Sequence, residues 1–238
     1  IGHNTVREEA MGGSFDRAPT VAELAKMREL VRAGMKDGAV GLSTGLIYLP
    51  GTFSKTDEIL ELAKEAAAYD GIYASHMRSE GAGIFDALNE LFQIARGAKI
   101  RAEISHIKVS AKPLWGRSDE VLKAIDKARE EGLEITQDQY AYTASSTSLG
   151  TLIPQSAREG GASRFRERLA DPVEKARIVA EMKRTSTTAS CCSLPTRRTT
   201  PSCSTRSSFA CRGSDISVNS SRKSVPPFAI SRRPGLSR

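Results

Sequence analysis

The sequence predicts an α/β fold built on a parallel sheet, followed by a tail of a different kind. Three observations carry this prediction. Short apolar, strand-like runs alternate with helical patterns. Four of those runs end at Thr44, His76, His106 and Asp138, spaced 32, 30 and 32 residues apart. Beyond Arg184 the chain becomes dense in Ser, Thr, Arg and Pro and keeps neither a 3.6 nor a 2 period. A repeat of about 30 residues holding a strand, a helix and short loops is a βα unit. Four such units suit either a doubly wound sheet or half of a (β/α)₈ barrel, which in full takes about 250 residues.

Each unit has its own local signals. Ala39 to Thr44 is a short apolar run ended by small residues, which predicts the first strand. Ser54 is placed to cap a helix from Lys55, with Asp57 and Glu58 in its first turn. Ile59, Leu60, Leu62, Ala63, Ala66 and Ala67 mark its apolar face, and Asp70-Gly71 stops it. Ile72 to His76 reads as the second strand, and Ile84 to Ala95 as the next helix, ended by Gly97. Ala102 to His106 is the third strand. Ser118 then caps a helix with Val121, Leu122, Ile125 and Ala128 on one face, ended by Gly132. Glu134 to Asp138 is the fourth strand. Leu149 to Gly161 reads as loop, and Ser163 to Ala170 and Val173 to Lys183 as helices parted by Asp171-Pro172. This last stretch breaks the βα period and is expected to be an insertion.

The charge divides in the same place. Residues 185–238 carry nine Lys and Arg against one acid, Asp215, whereas residues 1–184 hold 26 bases and 27 acids. The pI of about 9.4 therefore describes the tail, and a nucleic-acid reading fails for the body. All four cysteines, Cys191, Cys192, Cys203 and Cys211, also lie in the tail. Ten residues separate Cys192 from Cys203 and seven separate Cys203 from Cys211, which fits no zinc framework. The expectation is a disordered tail over 185–238, or one written in a shifted reading frame. No apolar run approaches the roughly 20 residues of a membrane-spanning helix. The start at Ile1, with no methionine or signal segment, is read as an internal boundary.

The chemistry gathers at the strand ends. Two of the three histidines, His76 and His106, fall at the same phase of adjacent units. Equal phase on neighbouring parallel strands, about 4.8 Å apart, lets two imidazoles share one metal ion at the carboxyl edge, where α/β active sites assemble. Neutral imidazole suits zinc. Lys108, two residues beyond His106, is expected to point the same way, either holding a substrate carboxylate or lying as a solvated loop charge. Arg78, in Ser-His-Met-Arg-Ser-Glu, carries the same pair of readings. Asp138 and Tyr140 share a face; Asp138 either orients a ligand or pairs with Lys108. Tyr48 either lines the pocket or packs. Gly2 and Asn4 predict a turn around His3, whose role is left open.

Five motifs occur in an order that resembles the N-acyl-D-amino-acid deacylases (D-aminoacylases) of the amidohydrolase superfamily. They are Gly2-His3-Asn4-Thr5-Val6-Arg7, Gly41 to Tyr48, Ser75-His76-Met77-Arg78-Ser79-Glu80-Gly81, Ile104-Ser105-His106-Ile107-Lys108 and Asp138 to Ala144. The resemblance covers residues 1 to about 184. It implies a partial (β/α)₈ TIM-type barrel of four βα units resembling strands four to seven, with 149–184 the start of an insertion that covers the active site. It implies that His76 and His106 are zinc ligands, with one or two ions in an intact family member. It matches Lys108, Tyr48 and a tyrosine of the Asp138 to Tyr142 segment to substrate-pocket positions; with Tyr140 taken as that tyrosine and Arg78 added from its place after His76, these four are the expected substrate-binding residues. The family's His-x-His motif, bridging cysteine and general-base aspartate have no counterpart here, so no catalytic residue is assigned.

The function this implies is metal-dependent hydrolysis of the amide of N-acyl-D-amino acids, in a cytoplasmic enzyme without nucleic-acid or membrane partners, by a chain expected to be inactive alone. Another amidohydrolase, such as a hydantoinase or dihydroorotase, is the nearest alternative enzyme. A non-catalytic piece with a nucleic-acid-binding tail is the alternative from a different class. Such a binder would interleave aromatics with its basic residues, and the tail has only Phe209 and Phe228.

Overall fold

Four short strands, β1 (Gly41–Gly45), β2 (Ile72–His76), β3 (Arg101–Ile104) and β4 (Ile135–Gln137), pair in parallel in the order β1-β2-β3-β4. They belong to a computed structural model that describes residues 1–142 and 146–189. Helices α3 (Thr56–Ala67), α4 (Ile84–Ala98) and α5 (Ser118–Glu130) connect them. Helices α1 (His3–Met11) and α2 (Val21–Lys36) precede the sheet, and α6 (Gln155–Arg158), α7 (Gly161–Ala170) and α8 (Pro172–Ala189) follow it. Ile1 extends the sheet by one rung: its ammonium donates to the Gly41 carbonyl at 2.6 Å, and its own carbonyl accepts the Ser43 N–H.

Register and burial decide between the two architectures that periodicity leaves open. Leu42, Tyr73, Ala102 and Ile135 form one row across the sheet, all buried. They pack with the apolar faces of the helices, including Ile59, Leu62 and Ala66 of α3, Leu88 and Leu91 of α4, and Val121 and Ile125 of α5. Consecutive helices touch each other, α2 on α3, α3 on α4 and α4 on α5. The alternate row, Ser43, Ala74, Glu103 and Thr136, faces the other way and is not buried. A doubly wound sheet would have helices on both faces. One helical layer over strands in sequential order is the arc of a (β/α)₈ barrel, with the uncovered row where the barrel interior would lie.

The local signals account for most boundaries, with informative exceptions. Lys55, not Ser54, caps α3; the Ser54 hydroxyl donates instead to the Gly51 carbonyl at 2.6 Å, inside a 3₁₀ turn over Gly51–Phe53. Gly97 does not end α4, which runs to Ala98 and closes with Lys99 in the left-handed region. Ser118 is the first residue of α5 rather than its cap. His3 does not lie in a turn: Gly2 caps α1 and His3 begins it. Within the expected loop 149–161 lie a 3₁₀ turn (Leu149–Leu152) and α6. Helix α8 passes the expected boundary at Arg184 and reaches Ala189. The tail from Ser190, with its cysteines and Asp215, lies outside the described residues.

Helix α2 carries a signal that strand-end spacing does not use. The Thr20 hydroxyl accepts the Glu23 N–H, and the Glu23 carboxylate accepts the Thr20 N–H, a capping box that satisfies two donors otherwise orphaned at the helix start.

Candidate metal and substrate site

The site lies where β2 and β3 end. The β2–β3 register, Ile72 with Arg101 and Ser75 with Ile104, is offset by 29 residues, so His76 stands level with Ser105. The histidine spacing of 30 therefore puts His106 one residue out of phase. On a continuing strand its side chain would leave by the opposite face. It does not, because strand pairing stops at Ile104 and His106 takes a φ of 44°, in the left-handed region. Histidine is among the few non-glycine types that visit this region with some frequency. The turned backbone brings the ring back, and His76 Nδ1 and His106 Nε2 converge to 2.7 Å. The two rings meet edge to face, with centroids 4.3 Å apart.

Glu80, Lys108, Tyr48, Tyr140 and Asp138 close around this pair. His106 Nδ1 lies 2.8 Å from Glu80 Oε1, and Lys108 Nζ lies 2.6 Å from the same oxygen. Lys108 also donates to the His106 carbonyl at 2.8 Å and sits 5.2 Å from the centre of the Tyr140 ring. The Tyr48 ring lies 5.1 Å from that of His76. Asp138 accepts the His106 backbone N–H, and Lys108 takes Glu80 as its ion-pair partner. Burial, helped by the charges of His106 and Lys108, holds the His76 imidazole below its ordinary pKa against the opposing pull of Glu80. A neutral ring keeps a lone pair for a cation.

Among the described residues, His76, Glu80 and His106 form a group whose ligand atoms lie within 4.8 Å of one another. His76 Nε2 is buried with no hydrogen-bond partner. Two imidazoles, one of them with a buried and unsatisfied ring nitrogen, make a donor set that suits zinc.

Part of the chain is similar to known proteins. No protein-family model matches the chain. Over 149 residues it is 42% identical to the D-aminoacylase of Alcaligenes xylosoxydans xylosoxydans, a match that takes in 63% of this chain and 30% of the relative. The crystal structure of a D-aminoacylase that defines a subset of amidohydrolases superposes with a TM-score of 0.58 at 37% identity, over 61% of this chain and 30% of that one. Over that stretch the chain is similar to D-aminoacylases. The N-acyl-D-glutamate deacylase of Bordetella bronchiseptica, solved with zinc and a phosphonate mimic of the tetrahedral intermediate, matches at 39% identity with a TM-score of 0.58, over 60% of this chain and 30% of that one. The chain thus spans about 30% of the length of the relatives it matches.

Within the matched stretch, His76, His106, Lys108, Tyr48 and Tyr140 come together. Arg78 is engaged elsewhere. Its guanidinium forms a paired contact with Glu90 of α4, at 2.9 Å for both hydrogen bonds, and donates to the carbonyls of Thr52 and Ser54. It ties the loop after β1 to α4. His3 is fully buried, and its Nε2 contacts Glu58 Oε1 at 2.8 Å in a cluster completed by the Arg7 guanidinium. Two residues at the site lay outside the sequence assignment. Glu80 sits in a loop with no period, where spacing says nothing about which side chain it meets. Asn4 donates to the carbonyls of Gly45 and Leu49, at the two ends of the turn that carries Tyr48.

Proposed function

We propose that residues 1–142 supply part of the metal and substrate site of a zinc-dependent hydrolase that cleaves the amide of N-acyl-D-amino acids. One observation carries this reading: His76 Nδ1 and His106 Nε2 converge to 2.7 Å beside the Lys108 ammonium, in a segment similar to D-aminoacylases. His76 and His106 would hold the metal. Zinc bound there supplies Lewis-acid polarisation of the acyl carbonyl and an activated water. Lys108 would hold the substrate carboxylate as an ion pair, exchanging Glu80 for the substrate as its anionic partner. Tyr140, against that cation, and Tyr48, against His76, would line the same pocket.

The role of 149–184 as the start of an active-site cover belongs to the same proposal. It is supported by the hydroxyls of Tyr48 and Thr147, which meet at 3.0 Å just before that stretch. Among the described residues no helix is long and apolar enough to cross a membrane. We place the enzyme in the cytoplasm as part of this reading.

The test replaces the matching stretch of the full-length Alcaligenes D-aminoacylase with residues 1–142. Release of free amino acid from N-acetyl-D- but not N-acetyl-L-amino acids, abolished by a chelator, is expected. A folded chimera that ignores both acyl-D-amino acids and chelator would overturn the reading.

A further inference from the structure

We propose that Glu80 is a positioning residue, not a metal ligand: its carboxylate takes the proton of His106 Nδ1 and so leaves the Nε2 lone pair facing His76. This inference rests on the metal reading above.

The proton inventory around the two rings carries it. An ionised carboxylate only accepts hydrogen bonds. Glu80 Oε1 is 2.8 Å from His106 Nδ1, so a hydrogen bond there needs the proton on Nδ1. The other tautomer would set a ring lone pair against a carboxylate oxygen. Lys108 Nζ is 3.0 Å from the same Nδ1; two of its three N–H groups go to Glu80 Oε1 and the His106 carbonyl, and Nδ1 could accept the third only in the tautomer that makes His76 Nε2 a buried N–H without a partner. With Nδ1 protonated, His106 Nε2 is bare and accepts from His76 Nδ1 across 2.7 Å. His76 Nε2, buried without a partner, is then left as an acceptor and not as an orphaned N–H. Unpaired buried N–H groups are the rarer and costlier case. One tautomer thus accounts for every contact in the chain from Glu80 through His106 to His76.

Charge separates the two possible roles of Glu80. A divalent cation bound by Glu80 and His106 Nδ1 would share its space with the Lys108 ammonium, which lies within 3.0 Å of both atoms. The Nε2 side faces a second imidazole in place of the ammonium, so the Lys108 charge opposes a cation there less strongly. Ligating histidines commonly donate their other ring N–H to a carboxylate, which fixes the ring and raises its basicity. Glu80 is placed for that task. It also holds Lys108 at the site until another anion takes its place.

Long-range proton–nitrogen NMR on the metal-free, full 238-residue chain reads the tautomer directly, at a pH where the ring is neutral. His106 is expected as the Nδ1–H form in the wild type, shifted toward Nε2–H in Glu80→Ala and restored in Glu80→Gln, whose amide oxygen still accepts. A wild-type Nε2–H form would overturn the proposal even if neither variant folded, as would a tautomer indifferent to Glu80→Ala. Cadmium serves as the metal probe. Its scalar coupling should fall on His106 Nε2, and coupling on Nδ1 would make Glu80 a neighbour in the ligand set and sink the proposal. Zinc affinity should drop about 10–100-fold in Glu80→Ala and recover in Glu80→Gln. An unchanged affinity in Glu80→Ala would count against a positioning role. A wild-type chain that binds neither zinc nor cadmium would defeat the metal reading, while the tautomer result would still decide the role of Glu80 toward His106.

Discussion

Asp138, just past the end of β4, accepts a hydrogen bond from the backbone N–H of His106, just past the end of β3. The contact crosses between neighbouring units and grips the residue whose left-handed φ turns its imidazole toward His76. Backbone in such a region costs on the order of 1–3 kcal/mol and persists only where the surroundings fix it. A charged acceptor on an amide is worth about 1.5–3 kcal/mol.

Asp138→Ala should therefore release the His106 loop. Zinc affinity is expected to fall by at least about tenfold, the equivalent of 1.4 kcal/mol. Asp138→Asn keeps an acceptor oxygen and should retain most of the affinity. Competition against a chromophoric chelator measures both, and equal affinities in the wild type and Asp138→Ala would show that the contact does not position the histidine.

In the chimera with the Alcaligenes relative, His106→Ala should abolish activity through loss of metal, seen as zinc content of the purified protein. Lys108→Ala should leave zinc content intact and raise KM by roughly 10- to 100-fold, as expected for losing a charge-assisted contact of about 1.5–3 kcal/mol. An unchanged KM would take Lys108 out of the substrate pocket while leaving the histidines in place.

Stability should depend on acid through Glu58. Its burial pushes the carboxyl upward, but the hydrogen bond with His3 and the Arg7 charge outweigh burial and hold it below its ordinary value. A depressed carboxyl contributes stability above its unfolded pKa and loses it as pH falls through the lower folded value. Glu58→Gln strands the buried Arg7 guanidinium and should cost about 3–5 kcal/mol near neutrality. The gap to the wild type should narrow as pH falls below the ordinary glutamate range, toward the lower value at which the native carboxylate gains its proton. Thermal melts across pH 3–7 give the comparison, and a constant gap would exclude Glu58 as the acid-sensitive group.

Gly41 is fixed by close approach. A Cβ there would lie 2.0 Å from the Ile72 carbonyl oxygen and 2.6 Å from its nitrogen, both backbone atoms held by the β1–β2 ladder. Gly41→Ala must part the two strands. It should cost about 1–3 kcal/mol or more, read as a lower denaturant midpoint. An alanine variant of wild-type stability would contradict the β1–β2 register.

The sequence by itself determined the strand–helix repeat, the parallel sheet and the four strand positions, because apolar periodicity and glycine stops are local properties of the chain. It also marked His76 and His106, since residues at recurring strand ends must share one edge of a parallel sheet, whereas Lys108, Tyr48 and Tyr140 were singled out with a packing or solvated alternative beside each and gained pocket roles from the family resemblance. Only the tertiary structure decided that the helices form a single layer. That depends on which face of each strand is covered, and apolar spacing along one strand does not say what covers it. The meeting of the histidines was likewise settled in three dimensions. A spacing of 30 against a register of 29 would part them, and one left-handed residue held by Asp138 restores the encounter. Arg78, Glu80 and His3 were alike as polar residues in motifs. The fold sent Arg78 to Glu90, buried His3 against Glu58 and brought Glu80 to His106, because loop and helix-start side chains find partners through chain path and not through period.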